Sequence, residues 1–286
     1  MNAVEARAIL FSCLEGGSAF WTREIDSNGP IDVVAKLRSG GYDPIRFEKT
    51  ISRVRSSEPP QVFAEIAGSG AQFITPEDAV WPSRLNDLST CPIGLIVKGS
   101  LDALQMLSLA IVGTRNPTNY GVRVAGEFAS GFIDREWAIV SGGAYGIDAA
   151  AHRGALAAEG VTIAVLASGI GINYPAGHTN MFAEIAETGA LVSEVMPGVR
   201  AIPARFLTRN RLIAALSCAT LVVEAAFRSG SIRTARDAAE LMRPVMAIPG
   251  PITSPTSEGC HRLIGERVAE IVTSVADAVE FVGTYK

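Results

Sequence analysis

The chain has few aromatic residues, 7% of its 286 positions, and few sulfur or imidazole groups, with four cysteines and three histidines. So low an aromatic share, beside 28 glycines, fits Ala/Val/Ile-rich parallel strands joined by glycine turns better than an all-β sandwich. Cys13, Cys91, Cys218 and Cys260 are too scattered for a disulfide framework or for paired Cys-x-x-Cys zinc knuckles, and are expected to be reduced thiols. His152, His178 and His261 are isolated, and although Cys260 adjoins His261, neighbouring side chains point apart and chelate one metal poorly. No metal and no cofactor is therefore expected. No apolar run approaches the roughly 20 residues that cross a bilayer, and the start lacks the basic, apolar and small-residue sections of a signal peptide. Membrane insertion is not expected, and a cytoplasmic location is. Nor is there an overall positive charge: the total is −4 with a pI near 5.5, which by itself speaks against a nucleic-acid partner.

What is present is 48% hydrophobic residues in a regular pattern. Residues 1–70 read as a small helical domain, with helices over 4–14, 31–38 and 44–55. Pro30 opens the second and Gly40-Gly41 stops it. Residues 71–107, interrupted by Pro76, Pro82 and Pro92, read as a loop-rich connector. From 108 to 286, short apolar runs alternate with glycine or proline turns and helix-length segments. Strands are expected over 109–112, 138–140, 162–166, 191–193, 220–223, 245–248 and 271–272. Helices are expected over 120–133, 147–158, 179–188, 208–216, 231–241 and 275–282. Continuous apolar strands are those covered on both faces, so the fold expected is α/β, a Rossmann-like, doubly wound, mainly parallel sheet. Ligands of such sheets lie at the carboxyl ends of the strands.

The turns at those ends share one chemistry. Gly113-Thr114-Arg115, Ser141-Gly142-Gly143, Ser193-Glu194 and Arg228-Ser229-Gly230-Ser231 each follow an expected strand. Glycine lets backbone approach an anion, and free N–H groups at a helix start donate to it. A helix cap alone would explain any one of these turns, but a row of them along one sheet edge suits an extended phosphodiester. Charge is also segregated: between Arg200 and Arg236 stand Arg200, Arg205, Arg209, Arg211, Arg228, Arg233 and Arg236 against Glu224 alone, a window of +6. Guanidinium grips phosphate bidentately and stacks on bases. Arg209 and Arg211 are expected at or before the first turn of their helix, where a cation opposes the helix dipole and an anionic ligand would explain it.

These same segments resemble the DprA/Smf family. Ile111-Val112-Gly113-Thr114-Arg115-Asn116-Pro117 is similar to the family's Gly-Ser/Thr-Arg loop, and Ser141-Gly142-Gly143-Ala144-Tyr145-Gly146-Ile147-Asp148 to its Ser-Gly-x-Ala-x-Gly-Ile-Asp element. Tyr174-Pro175, Phe206 with Arg209-Asn210-Arg211, Val223-Glu224-Ala225, Ser229-Gly230-Ser231 and Ile248-Pro249-Gly250 follow in family order. The resemblance implies an extended Rossmann-like fold that binds single-stranded DNA without catalysis, forms a homodimer and helps load a RecA-type recombinase, as in natural transformation. Carried over by position, Arg115 would hold phosphate from the first loop, with Gly113 and Thr114 beside it. Arg209 and Arg211 would form the basic wall, and Ser141, Gly142, Ser193, Arg228, Ser229, Gly230 and Ser231 would add donors. Tyr145 stands where relatives often carry arginine or lysine, and Leu207 where they often carry proline. The N-terminal helices resemble a SAM-like domain faintly, and the C-terminal end is expected to leave no room for the winged-helix domain of many relatives.

The competing reading is a nucleotide-handling enzyme of the phosphoribohydrolase kind, with Glu224 or Asp148 as the carboxylate that a glycosidic bond requires. Its Pro-Gly-Gly-x-Gly-Thr signature is absent, and Arg228-Ser229-Gly230-Ser231 stands in that place. A dinucleotide oxidoreductase would need Gly-x-Gly-x-x-Gly after the first strand, which is not there.

Overall fold

In the computed structural model, which describes residues 1–284, five helices come first: α1 (Ala3–Cys13), α2 (Ala19–Asn28), α3 (Pro30–Ser39), α4 (Glu48–Ser56) and α5 (Pro59–Gly68). A capping box starts α1, the Asn2 side chain accepting from the Glu5 N–H while the Glu5 carboxylate accepts from the Asn2 N–H. Ile9, Leu10, Trp21, Val33, Leu37 and Val54 form the core of this bundle. Helices α2 and α5 depart from the sequence reading. Pro59 and Pro60, which look like a break, sit in the first turn of α5, where no N–H is needed.

The stretch expected as a connector differs too, for it supplies strands β1 (Gln72–Ile74) and β2 (Leu95–Gly99). The prolines flank these strands rather than replace them. Then follow β3 (Ser108–Val112), α6 (Asn119–Ile133), β4 (Ala138–Ser141), α7 (Ile147–Ala157), β5 (Thr162–Leu166), α8 (Thr179–Thr188) and β6 (Ala190–Ser193). The chain continues with α9 (Pro203–Leu216), β7 (Ala219–Val222), α10 (Gly230–Glu240), β8 (Val245–Ala247), α11 (Glu258–Gly265), β9 (Glu270–Ile271) and α12 (Val275–Gly283). All seven strands expected from apolar runs are present, together with α11, for which no pattern was visible.

Among the described residues the sheet has nine strands in the order β1-β2-β6-β5-β4-β3-β7-β8-β9. From β6 to β9 every pairing is parallel, while β2 joins antiparallel to β6 and β1 to β2. Alternate residues of β3 serve opposite layers. Ala110 and Val112 pack with Leu212, Ile213 and Ile232 of α9 and α10, whereas Leu109 and Ile111 pack with Phe128, Ala151 and Ala278 of α6, α7 and α12. Burial on both sides explains why the runs are uninterrupted. The parallel order reverses between β3 and β7. The connections leaving these neighbours diverge to opposite layers, and a crevice opens at their carboxyl ends. None of the helices among the described residues is long and apolar enough to cross a membrane.

Candidate nucleic-acid interface

The crevice is a cleft of about 700 Å³ lined by the β3 loop, the β7 loop and the first half of α9. Glu224, at the end of β7, fixes its first lip. One carboxylate oxygen accepts from the Thr118 N–H at 2.9 Å, and the other from the Thr118 hydroxyl at 2.7 Å and the Thr256 hydroxyl at 3.3 Å. Thr118 in turn caps α6, and the Thr114 N–H donates to the Glu224 carbonyl at 2.6 Å. Gly113 is held so closely that a Cβ would lie 2.7 Å from that carbonyl and 2.6 Å from the Ile147 side chain. Its glycine is required by packing before any ligand is considered. The loop so pinned turns Arg115 outward into solvent. The guanidinium lies 4.9 Å from the ring centre of Phe206, which meets Tyr174 edge-on at 5.5 Å, and none of the acids among the described residues pairs with it.

The other lip is Arg228-Ser229-Gly230-Ser231. The Ser229 hydroxyl accepts from the Ser231 N–H at 3.3 Å and caps α10, and Asn210 of α9 donates to the Gly230 carbonyl at 3.2 Å. Arg228 is exposed and has no acidic partner among the described residues. The open N-terminus of α10 thus faces the cleft, adding partial positive charge and N–H donors.

Arg209 and Asp148 line the floor. Arg209 is 6% exposed, and one of its terminal nitrogens donates to the Val165 carbonyl. Burial pulls its pKa down to about 10 against the opposing charge of Asp148, which leaves it cationic at neutral pH. Burial also pushes the Asp148 carboxyl up, although Arg209 and the Ala144 N–H at 3.3 Å pull it the other way. Two cations on the lips, one beneath and a helix N-terminus make a site for an anion with flat groups attached.

Four of the residues expected in this site lie elsewhere or are otherwise engaged. Helix α9 begins at Pro203, so Arg209 and Arg211 stand in its interior and not at its dipole end. Arg211 turns away from the cleft and grips both oxygens of Glu194 at 2.5 and 2.7 Å, beneath the Gly16-Gly17 turn of the N-terminal bundle. Ser141 and Ser193 are wholly buried, and their hydroxyls donate to the carbonyls of Ile111 at 2.6 Å and Ser168 at 2.9 Å. Gly142 is the space into which the Arg209 guanidinium fits. The +6 window is also largely neutralised, since Arg205, Arg211, Arg233 and Arg236 are paired with Glu15, Glu194, Asp237 and Glu266. Conversely, Gly113, Thr114, Arg115, Arg209, Arg228, Ser229, Gly230 and Ser231 do line one cleft. Tyr145 is absent from it and packs edge-on against His178 at 4.6 Å. Asn210, which ties α9 to α10, has no signal of its own in the sequence. Of the two carboxylates a hydrolytic nucleotide site would use, Glu224 has both oxygens committed to threonines, and only Asp148 borders the cleft.

The profile of the family DNA recombination-mediator protein A matches residues 72–283. Among curated proteins, the putative DNA processing protein DprA of Mycobacterium tuberculosis is 43% identical over 268 residues, which cover 89% of this chain and 69% of the relative. Protein Smf of Escherichia coli is 43% identical over 209 residues, 73% of this chain and 56% of the relative. Among solved structures, DNA processing protein A from Streptococcus pneumoniae superposes with a TM-score of 0.84 at 31% identity over 98% of both chains. That of Helicobacter pylori DNA processing protein A, whose single-stranded DNA binding mode the structure describes, reaches 0.67 at 30% identity over 76% of this chain and 97% of that one.

Proposed function

Because this chain belongs to the DNA recombination-mediator protein A family, which includes the DprA and Smf proteins, we propose that it binds single-stranded DNA non-catalytically in the crevice between β3 and β7. The observation that carries the reading is the pairing of Arg115 and Arg228, neither with an acidic partner among the described residues, on the lips of a single cleft whose other wall is the N-terminus of α10. Phosphates meet fixed cations and N–H donors there, while bases lie against Phe206 and Tyr174, which accept any base because every base has a flat face. The binding is therefore largely independent of sequence.

The same reading includes a cytoplasmic homodimer that passes the strand to a RecA-type recombinase. Support for self-association comes from the far edge of the sheet, where both residues of β9 are exposed and Met242, 86% exposed, lines with Ile271 a recess that also holds Arg243, Arg267 and Glu270. An unpaired strand edge beside exposed apolar side chains favours pairing with a second copy.

The test is an anisotropy titration of labelled oligo-dT and of its duplex across a range of salt, with nucleotide hydrolysis measured alongside. Preference for the single strand, with log K falling about 0.7 per neutralised phosphate for each decade of salt, is the expected result. Preference for duplex, or release of base from a nucleotide, would overturn the reading.

A further inference from the structure

The cleft continues beyond its second lip. Arg228 and Ser229 also line a recess of about 400 Å³ that follows one stripe of α10, past Phe227, Arg233 and Arg236. Phe227 is 43% exposed, and Arg262 of α11 lies over its ring, 4.5 Å from the centre. Acidic side chains orient these arginines, Asp237 from the buried side and Glu266 from the surface, and the exposed Glu240 also lines the far end of the recess. Asp237 accepts from Arg233 Nε at 2.6 Å, and Glu266 accepts from Arg262 Nε at 2.5 Å and from a terminal nitrogen of Arg236 at 3.0 Å. Bonds through Nε hold Arg233 and Arg262 in place, yet leave their terminal nitrogens without a protein acceptor among the described residues. The Asp237 side chain is 7% exposed whereas that of Arg233 is 64% exposed, so carboxylate lies inward and guanidinium outward.

We propose that this arginine shelf is a second segment of the same binding path: a strand leaving the cleft stacks a base on Phe227 and sets its following phosphates on Arg233, Arg236 and Arg262. The inference rests on the single-stranded DNA reading of the cleft. A phenyl ring backed by a guanidinium offers an incoming base a platform with a cation fixed behind it, and stacking of this kind tolerates any sequence. Outward-facing terminal nitrogens then meet phosphate in the two-pronged geometry that arginine favours. The shelf thereby lengthens the footprint without adding base discrimination.

Labelled oligo-dT strands from 4 to 24 nucleotides, titrated against the full chain, test it. For the unaltered chain, affinity is expected to keep rising past the length at which Phe227→Ala and Arg262→Gln stop gaining. On the longest strands Phe227→Ala weakens binding by roughly 5- to 150-fold, the worth of one stacked base. Arg236→Gln flattens the salt slope on long strands by about 0.7. On the shortest strands all three match the unaltered chain. Because Phe227, Arg236 and Arg262 are exposed, matching thermal melts should show that the fold is intact. An identical length dependence in all of them, or an equal loss at every length, overturns the proposal. Arg115→Ala separates the two readings, since it should weaken every length. If it changes nothing while Phe227→Ala still shortens the gain, the cleft reading fails and the continuous path with it. Loss at every length for Arg115→Ala with no effect of Phe227→Ala leaves the cleft and removes the shelf. If no strand of any length binds the unaltered chain, both fall.

Discussion

Helix α9 and the two loops beside it carry arginine to opposite ends. On α9, Arg205 pairs with Glu15, Arg211 with Glu194, and Arg209 is buried over Gly142 with a bond to the Val165 carbonyl. In the loops, Arg115 and Arg228 pair with no acid among the described residues and face the cleft. The helix contributes three of the seven arginines that stand out in the sequence, yet its cations hold the molecule together. The loops contribute two isolated arginines, and these are free to hold something else. Charge counted along a chain therefore measures neither potential nor availability. What decides both is whether folding brings a carboxylate within reach, as it does for Glu15, 190 residues from Arg205, and for Glu194, 17 residues from Arg211.

The sharpest break of this comparison is Arg211→Ala. It strands the Glu194 carboxylate in a buried site, where burial already pushes its pKa up against the pull of Arg211. Removing one partner of a buried pair destabilises by about 3–5 kcal/mol, read as a lower urea midpoint. The salt slope of DNA binding by the folded fraction should not change. A flatter slope with unaltered stability would return Arg211 to the groove.

Next in size is Arg115→Ala, the loop counterpart. Losing a charge-assisted contact of about 1.5–3 kcal/mol weakens single-strand binding by roughly 10- to 150-fold, and the salt slope should flatten by about 0.7. Stability should stay within about 0.5 kcal/mol, since the side chain is exposed and its contact is with the face of Phe206. A large loss of stability with binding intact would reverse the roles of helix and loop.

The contrast also explains what was legible in advance. Strands β3 to β8 were visible because each is a largely apolar run buried along its whole length, whereas β9 is exposed and shows only as the short apolar pair Ile271-Val272. Strands β1 and β2 were hidden by Pro76, Pro82 and Pro92, and α5 by Pro59-Pro60, because a proline reads as a break whether it interrupts an element or begins one. Loop residues Gly113, Thr114, Arg115 and Arg228 through Ser231 were readable as turns at strand ends, and folding brings them to one cleft. Arg211, Ser141 and Ser193 were not. Their engagement depends on Glu194, Ile111 and Ser168, partners that only the tertiary fold brings near.

The smallest effect belongs to the remaining pair on α9. Arg205 donates to the two oxygens of Glu15 at 3.0 and 2.5 Å and holds that carboxyl below its ordinary value of 4.5, with Arg53 adding to the pull. A carboxyl pKa that is lower in the folded state favours folding at pH values above the unfolded carboxyl's pKa, and this advantage disappears as pH falls through the folded pKa. Because the Glu15 side chain is 63% exposed, solvent screens the pair and its worth stays under about 1 kcal/mol. Glu15→Gln should thus lower the urea midpoint slightly at pH 7, with a deficit that shrinks as pH falls through the lowered pKa of the folded carboxyl. A deficit that persists unchanged at pH 3 would mean that the contact acts through packing of the Gly16-Gly17 turn against α9 and not through charge. In that case the N-terminal bundle would grip the helix by shape alone.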